Sequence, residues 1–107
     1  MTPGEDLRER VLDALAPLPV RSRRLFGGLG FYLEDRFFAV IFDGVLYFRT
    51  DDETRPAYVQ RGMPPLQPRH RPRGPRTVDR HFEVPPGVLA DPTLLREWAL
   101  RASSVRV

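Results

Sequence analysis

The sequence predicts an α+β fold, a two-layer arrangement of helices with an antiparallel sheet of about five strands. Three observations predict it. Residues 23–52, RRLFGGLGFYLEDRFFAVIFDGVLYFRTDD, hold six of the seven Phe and two of the three Tyr residues of this 107-residue chain. Aromatic and β-branched side chains favour a pleated, half-buried surface. Two tight-turn dipeptides, Glu34-Asp35 and Asp43-Gly44, cut the run into three short strands. Helical periodicity falls instead at the two ends and in one short middle segment. The predicted order is helix, three strands, helix, two strands, helix (α-β-β-β-α-β-β-α).

The first helix covers residues 4–16. Leu7, Val11 and Leu15 recur at spacing four with Ala14 beside them, while Glu5, Arg8, Glu9 and Asp13 face outward. Pro17 and Pro19 end it. Val20 to Phe26 reads as a first strand, and Gly27-Gly28 as a turn or bend before the central run. Type I′ turns then set the registers. Around Asp43-Gly44, Phe42 opposes Val45, Val40 opposes Tyr47 and Ala39 opposes Phe48. Around Glu34-Asp35, Leu33 opposes Arg36 and Phe31 opposes Phe38.

Opposed residues share a face. One face is therefore expected to carry Leu29, Phe31, Leu33, Phe38, Val40, Phe42, Val45 and Tyr47. The other is expected to carry Tyr32, Phe37, Ala39, Ile41, Leu46 and Phe48. Both are apolar, whereas an antiparallel sheet normally leaves one face wet. A second copy of the chain is the expected cover for the second face; the alternative is a one-residue register error in the assignment.

Farther along, Asp51 or Thr54 can cap a short helix through Pro56, Tyr58 and Val59 to Arg61, with Gly62 just past its end. Leu66–Arg71 and Arg76–Val84 are expected as two strands joined by Pro72-Arg73-Gly74-Pro75, with Pro68 and Pro72 confining the first to a sheet edge. Asp91-Pro92 supplies an N-cap and a first-turn proline for a last helix through Leu94, Leu95 and Trp98 to about Ala102.

Composition bounds the function. The chain is 41% hydrophobic and 29% charged, as expected of one soluble domain spanning 1–107. No apolar run approaches the roughly 18 residues of a membrane span. MTPGEDLRER lacks the apolar core of a signal peptide, so a cytoplasmic protein without membrane contact is expected. The absence of cysteine excludes disulfides, thiolate zinc sites and cysteine nucleophiles. All 17 basic residues are Arg, set against 14 acidic ones, for a net charge of +3. That balance is a weak argument for a nucleic-acid partner.

Several residues then match a family pattern in order and spacing: Arg24, Leu25, Phe26, Gly27, Gly28, Gly30, Phe31 and Tyr32; Asp51-Asp52-Glu53-Thr54-Arg55; Glu83-Val84-Pro85; and Leu89, Asp91, Pro92 and Trp98. Over roughly residues 5–103 the chain resembles the N-terminal domain of the TfoX/Sxy competence regulators, with Leu25 where those proteins usually have Met. The resemblance implies a secretion-chaperone-like α+β fold and a bacterial regulatory role. Full-length regulators carry a second, C-terminal domain. The chain ends at Val107, and a stand-alone N-terminal domain is the expectation.

No chemistry assembles from the remaining motifs. Gly27-Gly28-x-Gly30 lacks the lysine of a phosphate loop and leads into a strand, so Arg24, Phe26, Gly27, Gly28, Gly30 and Tyr32 read as structural. Asp51, Asp52 and Glu53 suit capping better than metal binding, since three consecutive carboxylates cannot all face one ion. An ion pair between this segment and Arg21, Arg23 or Arg24 is expected. His70 and His81 have no Ser or Cys nucleophile nearby. No catalytic, cofactor-binding or metal-binding residue is therefore expected, and the chain reads as a non-enzyme. The expected function is that of a regulatory adaptor working through protein contacts, with itself as a homodimer or with another protein. The alternative is a nucleic-acid-binding regulator using an Arg-rich hairpin over 69–80, with Arg69, Arg71, Arg73, Arg76 and Arg80 on phosphates. Trp98 reads as core.

Overall fold

A computed structural model describes residues 3–25, 27–66 and 80–105, with side chains described from Asp6 onward. The elements in order are α1 (Pro3–Leu15), β1 (Val20–Leu25), β2 (Gly28–Leu33), β3 (Arg36–Phe42), β4 (Val45–Arg49), α2 (Arg55–Val59), β5 (His81–Glu83), α3 (Pro86–Leu89) and α4 (Pro92–Ser103). The strands form one antiparallel sheet in the order β1-β2-β3-β4-β5, so each pairs with its sequence neighbour. The α+β class and the five-stranded sheet match the sequence reading.

Among the described residues four strands precede α2, the segment at Val20 and the three of the central run, and one follows it where two were expected. Between α2 and β5 the described residues contribute an isolated bridge, Pro65 with Phe82, where Pro64 and Pro65 have no N–H to offer a ladder. The rest of the expected strand 66–71 lies outside the described residues, except Leu66, whose N–H donates to the His81 carbonyl. The one-turn helix α3 was not expected at all.

Local chemistry explains the turns. Glu34 and Asp35 have φ of 50° and 70°, and Asp43 and Gly44 have 56° and 78°. Positive φ at both central residues is the type I′ signature, whose twist suits a hairpin. The β3–β4 register is the expected one. The β2–β3 register is not.

Leu33 opposes Arg36 and Tyr32 opposes Phe37, but Phe31 then opposes Ala39, leaving Phe38 as an extra residue at a bulge. The expected Phe31–Phe38 pairing is thereby corrected. The cause is packing: Phe38 turns into the core, fully buried, with its ring 6.0 Å from that of Phe48.

The bulge also regroups the faces. One face now carries Leu29, Phe31, Leu33, Phe38, Ala39, Ile41, Leu46 and Phe48, continued on β5 by Phe82. These pack with Leu7, Val11 and Leu15 of α1 and Leu95, Trp98 and Ala99 of α4 in a single core. Tyr58 of α2 joins them, its ring 4.9 Å from Trp98 and 5.9 Å from Phe82. The opposite face carries Tyr32, Phe37, Val40, Phe42, Val45 and Tyr47, none of which belongs to that core.

Candidate interaction surface

The second face is built in cross-strand rows. One row runs across all five strands as Arg23, Gly30, Val40, Tyr47 and Glu83. A second pairs Arg21 with Tyr32 and Tyr32 with Phe37, and on the far side Arg49 with His81. A third includes Leu25 opposite Gly28 and Phe42 opposite Val45. Strand alternation places all these side chains on one side of the sheet.

Glycine shapes the middle of this surface. A Cβ on Gly30 would come 3.1 Å from Phe37 Cε1, so the missing side chain lets the Phe37 ring lie over the backbone. Tyr32, Phe37 and His81 then form a continuous aromatic line, with ring centroids 5.4 Å and 5.5 Å apart. Gly28 is constrained by its own backbone contact: a Cβ there would lie 2.5 Å from the Ile41 carbonyl oxygen.

The electrostatics differ between the two ends of the rows. Arg21 and Arg23 on the β1 edge are exposed. On β4, next to the β5 edge, Tyr47 has its phenol pushed up by burial and then by the nearby Glu83 and Asp43 carboxylates. His81 is pushed down to about 4, by burial first and by the Arg49 and Arg80 guanidiniums second. Its buried Nε2 finds no hydrogen-bond partner among the described residues, so the ring resides there neutral. The face is apolar in the centre, basic along β1 and mixed along β5.

The structure brings some sequence-selected residues together and separates others. Gly28, Gly30 and Tyr32 lie on this face; Arg24 opposes Leu29 and falls on the other side. Gly27 takes φ 82° at the β1–β2 turn, and Phe26 lies outside the described residues. Of the arginine arm, Arg80 is exposed and its carbonyl accepts from the Thr50 N–H; Arg69, Arg71, Arg73 and Arg76 lie outside the described residues.

The ion pair expected between a β1 arginine and Asp51–Glu53 is absent among the described residues. Arg21 instead pairs with Asp35 at 2.8 Å, and Asp52 pairs with Arg55 at 2.9 Å. Both alternatives are sequence-local or lie across one hairpin, and so cost less ordering. Asp51 serves the turn into α2: its Oδ1 accepts from the Glu53 and Thr54 N–H groups and the Thr54 hydroxyl. The Thr54 amide bond comes first among the causes that lower its carboxyl pKa. Thr54 holds the N-cap position without a side-chain capping bond.

No group of three or more metal-ligating side chains occurs among the described residues. A cleft of about 530 Å³ beside α2 and α4 is lined by Asp51, Thr54, Tyr58, Trp98, Arg101 and Ser104. Asp51 and Thr54 are engaged with each other at the turn into α2. The Ser104 hydroxyl donates to the Leu100 carbonyl, and burial raises the Tyr58 phenol above its ordinary range. Arg61 lies over Trp98, 5.0 Å from the ring centroid. Among the described residues no nucleophile with its base and orienter meets there.

A family model described as the TfoX N-terminal domain matches residues 12–105, nearly the whole chain and every described element from β1 to α4. The chain belongs to the TfoX N-terminal domain family. It is accordingly a competence-regulator-like domain. The family match spans both layers of the fold, from the second half of α1 through the sheet to α4. No curated protein matches the chain.

The sequence reading put Phe42 and Tyr47 on one face and Tyr32 and Phe37 on the other, and it missed His81 and Glu83 as members of this surface. The bulge brings the four aromatics together. The alternation in His81-Phe82-Glu83 was available as a signal. It became meaningful only once Phe82 was seen to oppose Phe48.

Proposed function

We propose that this chain acts as a non-catalytic regulatory adaptor, making protein–protein contacts through the second face of its sheet. One observation carries the reading. Tyr32, Phe37, Phe42, Val45 and Tyr47, all half-buried, stand around the buried Val40 on a face outside the helix-backed core cluster. Contiguous apolar surface with a charged rim is the mark of a protein contact site. Aromatic anchors surrounded by arginine are its usual energetic centre.

The test compares the full chain with a Phe42→Glu variant by light scattering and by affinity capture from bacterial extract. Circular dichroism controls for folding of the variant. The reading predicts self-association, or capture of a protein, that the folded variant loses. A wild-type chain that stays monomeric and captures nothing beyond what the variant captures would overturn it. Salt-sensitive retention of duplex DNA, lost on changing Arg71, Arg73 and Arg76 to Ala, would favour the nucleic-acid alternative instead.

A further inference from the structure

We infer that the occupant of this face is a second copy of the chain, seated about a two-fold axis that runs along β3. The inference rests on the proposed reading of the face as a protein contact site and names its partner. Its basis is the order of residues in the central row, Arg23, Gly30, Val40, Tyr47 and Glu83.

The row is centred on Val40 in the middle strand and ends in opposite charges. Neighbouring strands lie about 4.8 Å apart, so Arg23 and Glu83 stand about 19 Å apart across the sheet. Neither forms an ion pair among the described residues.

Two sheets stacked face to face lie about 10 Å apart, with strand directions within about 30° of each other. An isologous pair needs a two-fold axis between them. If that axis runs along the strands, β1 of one copy lies over β5 of the other. The Val40 position, its side chain already buried within its own chain, then lies nearest the axis, Arg23 meets the partner's Glu83, and Glu83 meets the partner's Arg23. In the neighbouring row, Phe37 stacks near its counterpart and Arg49 comes over the partner's Tyr32, a cation–π arrangement. The length of the arginine side chain absorbs the offset that the inter-sheet angle introduces at the rim.

The other symmetric choice fails on charge. A two-fold across the strands along the central row would place β1 over β1 and β5 over β5, stacking Arg23 on the Arg23 and Glu83 on the Glu83 of the second copy. Like charges held together at an interface are strongly unfavourable. Charge complementarity therefore selects one axis, and the apolar centre is compatible with it.

The experiment uses the full chain and two charge reversals, Arg23→Glu and Glu83→Arg, each analysed by sedimentation velocity over the micromolar range. The wild type is expected to dimerise. Each reversal places like charges at both rim positions and is expected to weaken dimerisation by at least about tenfold. An equimolar mixture of the two variants restores both pairs, so heterodimers are expected near wild-type affinity. That rescue also shows that both variants are folded.

A wild-type dimer insensitive to either reversal, or variants that fail to rescue each other, overturns the two-fold arrangement while leaving the face as a contact site. A wild-type monomer that captures another protein through the same face overturns self-pairing alone. A monomer that captures nothing overturns both readings.

Discussion

At the residue scale, the second face is set by small departures from ideal strand geometry. Phe38 is the extra residue of the bulge, and its side chain enters the core beside Phe48. The sequence showed Phe37-Phe38 as two adjacent aromatics, a pattern compatible with either register, because alternation alone cannot locate an inserted residue. His81 offers a direct test of environment. Its pKa lies near 4 in the fold, below the ordinary value of about 6.5. The folded protein therefore keeps the ring neutral where the unfolded chain already binds a proton. The resulting stability is fully present above about pH 6.5 and is lost progressively as pH falls toward 4. Urea unfolding at pH 7 and at pH 4.5 should show a larger acid loss for wild type than for His81→Gln. Equal losses would mean that the imidazole is not held neutral by the fold.

At the scale of elements, caps and turns carried most of the legible information. Pro17 and Pro19 follow α1 closely, and Gly62 adopts φ 71° just past the C-cap of α2. Asp91 caps α4 through Oδ1, which accepts from the Thr93 and Leu94 N–H groups. Asp91→Ala is expected to cost about 1 kcal/mol, and Asp91→Asn only a small part of that. Denaturant midpoints decide it, and an Ala variant as stable as wild type would remove the cap from the account. The helix α3 was not legible because a single turn is shorter than any window in which helical periodicity can register. It forms because Val88, 4% exposed, is drawn into the core while Pro86 begins the turn. The short β5 falls inside the strand expected over 76–84, but its pairing with β4 was not legible. Its partner strand is distant in sequence, and the prolines before it suppress ladder pairing.

At the scale of the molecule, one sheet has two unlike apolar faces. Adjacent residues on β4 report the difference. Phe48 is fully buried against the helices, whereas Tyr47 lies on the face outside the core. Phe48→Ala should cost about 4 kcal/mol in urea unfolding, and Tyr47→Ser less than half as much; equal costs would contradict the assignment of faces. The sequence by itself determined the α+β class, both type I′ hairpins, the ends of α1 and α4, and the apolar character of both faces. These follow from turn chemistry, capping and periodicity, which act within a few residues of the chain. Only the tertiary structure decided the β2–β3 bulge, the position of β5, the face the helices cover, and the alignment of Arg23 through Glu83 in one row. Such features depend on contacts between segments far apart in sequence. Each residue's local preference is compatible with several registers, and only the packing of Phe38, Phe48 and Phe82 against the helices selects one.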